Sequence, residues 1–332
     1  MTTVAHVADV RPHRAIERGR IDLVGTGFAV KPPGPPAVWI GERRARVAYA
    51  SPTRLSVQIP AGITDGGRTP VRVDDIPEML SVEIAAPLAT GLHQVDSPVF
   101  DHQGNLFVTY SGTRGEQVPV SIFRVRPDGT RETYSSGVVN PTSMAIGPDG
   151  HLYVSSRFEG AVYRLDDDGT AELFASDLGV ACGLAFSRDG TLYAGDRSGT
   201  VFKVEADGRA VPYASLPASV AAFHLALRDD GTLFVTAPTL SSYDTLYEVA
   251  PGGTVRVRPE RFGRPQGMAF DASGALLVVE ALAGMSGVYR LGGAGTPELV
   301  LSGPGLVGVA FDPRGGLVVC TNDTAYRLPP GA

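Results

Sequence analysis

The sequence predicts an all-β chain in two parts, a six-bladed β-propeller over residues 80–332 and a small β-sandwich over residues 11–79. A strand–turn–strand pattern that recurs six times at near-constant spacing predicts the propeller. Apolar residues at helical spacing are absent throughout. Before residue 80 the texture changes to shorter alternating strands broken by Pro and Gly, which marks off the smaller domain.

Residues 1–10 read as a tail. The first domain then runs through Ile21 to Phe28, a Pro-rich loop, Val38-Trp39-Ile40-Gly41, Ala50 to Pro60 and Gly67 to Val73. Leu80 to Ile84, followed by Leu88-Ala89-Thr90-Gly91, resembles the outer strands at 172–176 and 298–302. Residues 80–88 are therefore expected to supply the outermost strand of the last blade, because that blade runs out after Ala325-Tyr326-Arg327-Leu328. Such a clasp removes the open seam of the ring.

The six repeats, I to VI, are marked by turn glycines at 104, 150, 190, 231, 274 and 315, spaced by 46, 40, 41, 43 and 41 residues. A period near ~40 with several strands per unit is that of a propeller blade. Inner strands such as Leu184-Ala185-Phe186 and Leu192-Tyr193-Ala194 are almost wholly apolar, as strands covered on both faces must be. Outer strands such as Val201-Phe202-Lys203-Val204 alternate with polar residues. Asp-Gly at 149–150, 189–190 and 230–231 predicts two-residue hairpin turns that need positive φ.

Composition narrows the function. A net charge of −6 argues against nucleic acid and anionic membranes as partners, and the arginines at 43, 44 and 46 read as a solvated strand edge. No stretch approaches the ~18 uninterrupted apolar residues of a membrane span. The first residues lack a basic start followed by an apolar run, so no signal peptide is expected and the location is read as cytoplasmic. Two cysteines, Cys182 and Cys320, imply no disulfide framework.

Resemblances sharpen these expectations. Residues 11–79 resemble the IPT/TIG immunoglobulin-like family in Gly25-Thr26-Gly27-Phe28, Val38 to Gly41, Ser51 to Pro60 and Pro70 to Val73. That resemblance implies an immunoglobulin-like β-sandwich acting as a spacer or as a contact for another protein. The repeats, with blocks such as Gly183-Leu184-Ala185-Phe186 to Gly190-Thr191-Leu192, resemble the gluconolactonase, senescence marker protein and luciferin-regenerating enzyme propellers, with NHL-repeat propellers as relatives. Lactonases of that family hold a divalent metal through Glu, Asn and Asp in three blocks. Here Asp96-Ser97-Pro98-Val99-Phe100 matches the first with Asp for Glu, Phe223 stands for the Asn, and Gln266 stands for the Asp.

A propeller ligand site is expected at a mouth of the channel, lined by equivalent positions of successive blades. Eight residues before the turn glycines stand Asp96, Thr142, Cys182, Phe223, Gln266 and Val307, with His224 in the neighbouring column. Six residues after them stand Tyr110, Ser156, Asp196, Ala237, Glu280 and Thr321, with Arg157, Arg197 and Asn322 one further on. Departures from the repeat nominate the site. Asp96, His224 and Glu280 form a candidate set for one divalent ion (Ca, Zn or Mn), with Asp196 or Glu280 as catalytic base. Tyr110, Arg157, Arg197, Gln266 and Asn322 are candidate substrate contacts, the arginines suited to a carboxylate or phosphate unless salt bridges to Glu159 or Asp196 hold them. The expected function is hydrolysis of a lactone or ester. A non-catalytic ligand-binding or scaffold protein, and a lyase or cyclase on the same scaffold, are the alternatives.

Overall fold

The computed structural model describes residues 5–30, 34–93, 97–221, 223–282, 284, 286–292 and 296–328. It is a β-propeller preceded by a β domain, and no helix occurs among the described residues. Four separate antiparallel sheets of four strands are formed in sequence order by repeats I to IV, covering 99–135, 141–175, 181–215 and 224–262. A fifth is built from Leu306–Phe311, Leu317–Thr321, Thr324–Arg327 and Ala86–Thr90. Repeat V, Pro265–Phe270 through Glu298–Ser302, has the same four-strand order but is not separate. Its outer strand pairs in parallel with Arg14–Ala15, which pairs in parallel with Met79–Ile84, so one twelve-stranded order runs from repeat V into the first domain.

The innermost strands of successive repeats contact one another in a closed round, with Leu306–Phe311 meeting Val99–Phe100. Apolar clusters fill the gaps between neighbouring sheets. Phe107, Ile122, Met144 and Val154 join repeats I and II, and Val201, Phe223, Leu225 and Val235 join III and IV. Ala89, Leu106, Val108, Val318 and Cys320 join the last repeat to the first. At about 1.5–3 kcal/mol for each large side chain fully buried, these interfaces make every sheet depend on both neighbours.

The strand against the C-terminal Thr324–Arg327 is Ala86–Thr90, in antiparallel register from Thr324 opposite Thr90 to Arg327 opposite Ala86. The expected span of 80–88 therefore divides, because Met79–Ile84 pairs with Gly67–Val73 in the first domain. The turns also differ from expectation. The six turn glycines have φ of 84°, 80°, 87°, 84°, 80° and 83°, but none of the preceding residues has positive φ. Gly150 N–H donates to Gly147 O at 3.0 Å and Gly147 N–H to His151 O at 2.9 Å. That is a three-residue type I turn closed by a left-handed glycine, not a two-residue turn. The Asp of the Asp-Gly pair serves as a tie: Asp149, Asp189 and Asp230 accept backbone N–H groups two residues on, at 3.2, 3.2 and 2.9 Å.

The first domain encloses its own core of Val7, Ile21, Leu23, Val38, Ile40, Leu55, Val57, Val71 and Ile84. Arg43–Ser51 turns its corner, since residues 43–45 pair with Val38–Ile40 and residues 46–51 with Arg54–Gln58. It is joined to repeat V at Ser302, whose carbonyl accepts Ile16 N–H at 2.9 Å and whose Oγ accepts Arg20 N–H at 2.7 Å. Ile16 and Ala85 are buried in the cluster between repeats V and VI.

Candidate functional site at one mouth of the propeller

The end of each sheet opposite the Asp-Gly turns is fixed by ladder pairs. Pro141 faces Ser156, Ala181 faces Asp196, His224 faces Thr236, Pro265 faces Glu280 and Leu306 faces Thr321. In repeats II, III, V and VI the inner strand has a register shift just below this rim. Such bulges re-aim side chains. In repeat IV the ladder runs regularly from His224.

Hydroxyls stitch the rim together. Ser111 donates to Pro141 O at 2.9 Å, Ser155 to Cys182 O at 2.5 Å and Thr236 to Gln266 O at 2.9 Å, each crossing to the next repeat. Ser143 Oγ lies 3.1 Å from Ser97 Oγ and accepts Leu184 N–H at 3.1 Å. Repeat III has Gly195 where II has Ser155 and IV has Thr236. A Cβ there would stand 2.5 Å from Cδ1 of the fully buried Phe223 ring.

At the junction of repeats IV and V, His224 and Gln266 adjoin, and Glu280 stands on the next strand opposite Pro265. His224 is 4% exposed, and among the described residues no group hydrogen-bonds its buried Nε2. Burial pushes its pKa down from 6.5 to about 4, with the Gln266 side chain beside it working weakly the other way. The ring is thus neutral near pH 7. Gln266 is buried and adjoins Pro265, the ladder partner of Glu280. Glu280 is half-buried, and desolvation raises its carboxyl above the usual range against a smaller opposing hydrogen bond from the backbone at Gly263. Burial thus shifts the titration of both groups toward their neutral forms.

The remaining nominated residues divide. Asp196 is buried and committed: Oδ1 accepts Val180 N–H at 2.8 Å and Ser198 N–H at 3.1 Å, while Oδ2 accepts the Ser198 hydroxyl. It ties the loop after the second strand to the loop before the first. Tyr110 is half-buried between His93 and Phe123, with ring centroids 5.5 and 6.1 Å away. Arg157 and Arg197 are half-buried at equivalent places, their N–H groups bonded to Asn140 O and Val180 O. Among the described residues neither has the expected ion pair, since Glu159 lies against Tyr163 and Asp196 is taken by its loop. Asn322 is exposed.

One nominated metal ligand, Asp96, is not among the residues described. Among the described residues no three His, Cys, Asp or Glu side chains gather. Phe223, where the lactonases have a ligand, is packed in the apolar cluster between repeats III and IV. Two groups went unnoticed in the sequence. Asn140, fully buried with φ 47°, accepts Gly115 N–H at 2.7 Å and donates to Gly112 O and Thr113 O, pinning the loop over the rim. Asp244 accepts Thr239 N–H at 3.1 Å while its buried Oδ2 has no partner among the described residues. The Asn140-Pro141 step ahead of an inner strand was a readable signal; nothing local marked Asp244.

Fold and rim define a β-propeller with a polar mouth. Among solved structures it is similar to a gluconolactonase from Xanthomonas campestris, at 20% identity and TM-score 0.59, covering 73% of this chain and 88% of that one. It is also similar to an auxiliary nutrient binding protein from Bacteroides thetaiotaomicron, at 13% identity and TM-score 0.56, covering 98% and 97%. A virginiamycin B lyase from Staphylococcus aureus matches at 14% identity and TM-score 0.50, covering 72% and 95%. At such identities the likeness establishes the β-propeller architecture and nothing of the reaction. No family model matches the chain, so the IPT/TIG resemblance has no counterpart there, and no curated protein matches it. No helix among the described residues is long and apolar enough to cross a membrane.

Proposed function

We propose that the chain is a small-molecule hydrolase of lactones or esters, with its site at the mouth between repeats IV and V. In this reading the propeller has six blades, repeat V being the fifth, and residues 11–79 form an immunoglobulin-like domain fused to its edge. The observation that carries the reading is the buried, neutral His224, its Nε2 without a partner among the described residues, beside Gln266 and near the Glu280 ladder position. An unpaired buried polar atom costs about 1–3 kcal/mol, a cost that a bound ligand removes.

In the reaction His224 Nε2 takes a proton from water as the oxygen attacks the carbonyl carbon. Glu280, in its acid form, hydrogen-bonds the carbonyl or leaving oxygen. The C–O bond breaks and the leaving alkoxide receives a proton, giving acid and alcohol. Gln266 orients the imidazole, and Arg157 and Arg197 meet a negatively charged part of the substrate. No step uses a metal.

The test is a panel of lactones and esters with the wild type, His224→Gln and Glu280→Gln. Acid–base roles predict losses of roughly 10²–10⁴-fold in kcat for either variant. Glu280 adds a pH signature: activity falls as pH rises through its raised pKa and falls again below about 4, where His224 charges. A non-catalytic ligand-binding reading is favoured by one observation, the commitment of Asp196 to its loop. Ligand binding that His224→Gln abolishes, with no turnover of any panel member, would select it.

A further inference from the structure

We propose that the seam between the first domain and repeat V is a binding site for a phosphate-bearing small molecule. The seam holds a groove of about 470 Å³ lined by Arg18, Arg20, Arg46 and Gln58 on one side and Ser286 and Pro304 on the other. Three arginines and, among the described residues, no acidic residue line it, on a chain whose net charge is −6. Arg20 and Arg46 are both ladder partners of Gln58, from the strands on either side of it. The three side chains therefore rise on one face in a row, the two arginine backbones about 10 Å apart at ~4.8 Å per strand. Like charges on one sheet face are destabilising without a counter-charge.

Four arginines of the same domain are paired, Arg11, Arg14, Arg54 and Arg72 each meeting a carboxylate. Arg18, Arg20 and Arg46, like Arg43, Arg44 and Arg68, have no carboxylate partner among the described residues. The acids nearest Arg18 and Arg20 in sequence are occupied, Glu17 by Gly62 N–H and the Tyr326 hydroxyl and Asp22 by the Ser56 hydroxyl and Arg54.

The platform is rigid. A Cβ on Gly19 would stand 2.5 Å from Ser302 O, so the two domains touch backbone to backbone there. Arg18 is held at φ 62°, with its N–H on Ile59 O at 3.0 Å and its carbonyl accepting Gln58 Nε2 at 3.3 Å. A left-handed arginine between two fixed strands is strain of the kind found at ligand clamps. Each guanidinium fork can engage two oxygens of one anion, and three such groups call for more negative charge and more oxygens than one carboxylate carries, as a phosphate offers.

The test is calorimetric titration of the full chain with pyrophosphate, inorganic phosphate and citrate at constant ionic strength. Arg20→Ala/Arg46→Ala is compared with Arg188→Ala/Arg209→Ala, which removes the same charge from turns of the propeller. The expected result is pyrophosphate binding that weakens at least about tenfold in the groove variant and stays within about twofold in the control, about 1.4 kcal/mol separating a tenfold change. Tighter binding of citrate than of pyrophosphate would overturn the phosphate assignment. Equal loss in both variants, or no heat with any anion at millimolar concentration, would overturn the site. His224→Gln is expected to leave this binding intact, so its outcome is separable from that of the hydrolase reading.

Discussion

The two ends of each propeller sheet carry the same backbone and opposite sequence logic. At the turn end the chain repeats itself, with a left-handed glycine at φ between 80° and 87° in all six repeats. Arginine on the third strand returns to the turn aspartate in Asp149–Arg164, Asp271–Arg290 and Asp312–Arg327. At the mouth the equivalent positions are Tyr110, Ser156, Asp196, Ala237, Glu280 and Thr321, six different residues. Repetition marks the end where one structural problem recurs. Variety marks the end where each side chain has its own task, whether a loop tie as at Asp196 or a buried imidazole as at His224.

The largest expected effect bears on both ends at once. Deleting residues 323–332 removes the strand that holds Ala86–Thr90 and exposes the apolar seam between repeats VI and I. The ring should fail to fold cooperatively, and a truncated chain that melts like the full one in calorimetry would break the clasp account.

Next comes pH. His224 has a folded pKa of about 4 against 6.5 for the free side chain. The unfolded chain therefore binds the proton first as pH falls, and stability is lost between about 6.5 and 4, then levels off. The loss for this group is about 3 kcal/mol at ~1.4 kcal/mol per unit. Denaturant melts should show the slope in the wild type and lack that part of it in His224→Gln.

Two glycine substitutions sharpen the contrast between the ends. Gly195→Ala at the mouth drives a Cβ into the Phe223 ring, an overpacking cost of about 1–3 kcal/mol. Gly150→Ala at the turn meets no atom within 4 Å but keeps φ 80°, so its cost is backbone strain alone, about 1–2 kcal/mol. Repacking through Phe223→Leu should rescue the first and leave the second unchanged. The smallest effect is Asp149→Ala, which removes a half-exposed ion pair with Arg164 at 2.8 Å and a turn bond to His151 N–H, about 1 kcal/mol in a thermal melt.

The propeller was legible because its evidence is periodic. Apolar inner strands and turn glycines are local signals repeated often enough to fix each other's register. The turn type was misread because Asp-Gly serves two-residue and three-residue turns alike, and only the bond from Gly150 back to Gly147 tells them apart. The closing strand was placed too early, since Leu80 to Ile84 has the same alternation as Ala86 to Thr90 and only pairing with Gly67–Val73 distinguishes them. At the site, departures from the repeat pointed to His224, Gln266 and Glu280. The same rule pointed to Asp196, whose partners Val180 and Ser198 lie in loops that carry no period.

The central claim is that the mouth holds a buried, neutral imidazole free to act on a ligand. An NMR titration of the His224 ring in the full chain, assigned with His224→Gln, tests it most directly. The account predicts a ring that stays neutral until pH approaches about 4. A midpoint near the ordinary 6.5 would mean a solvated histidine at the rim and would contradict the proposed chemistry.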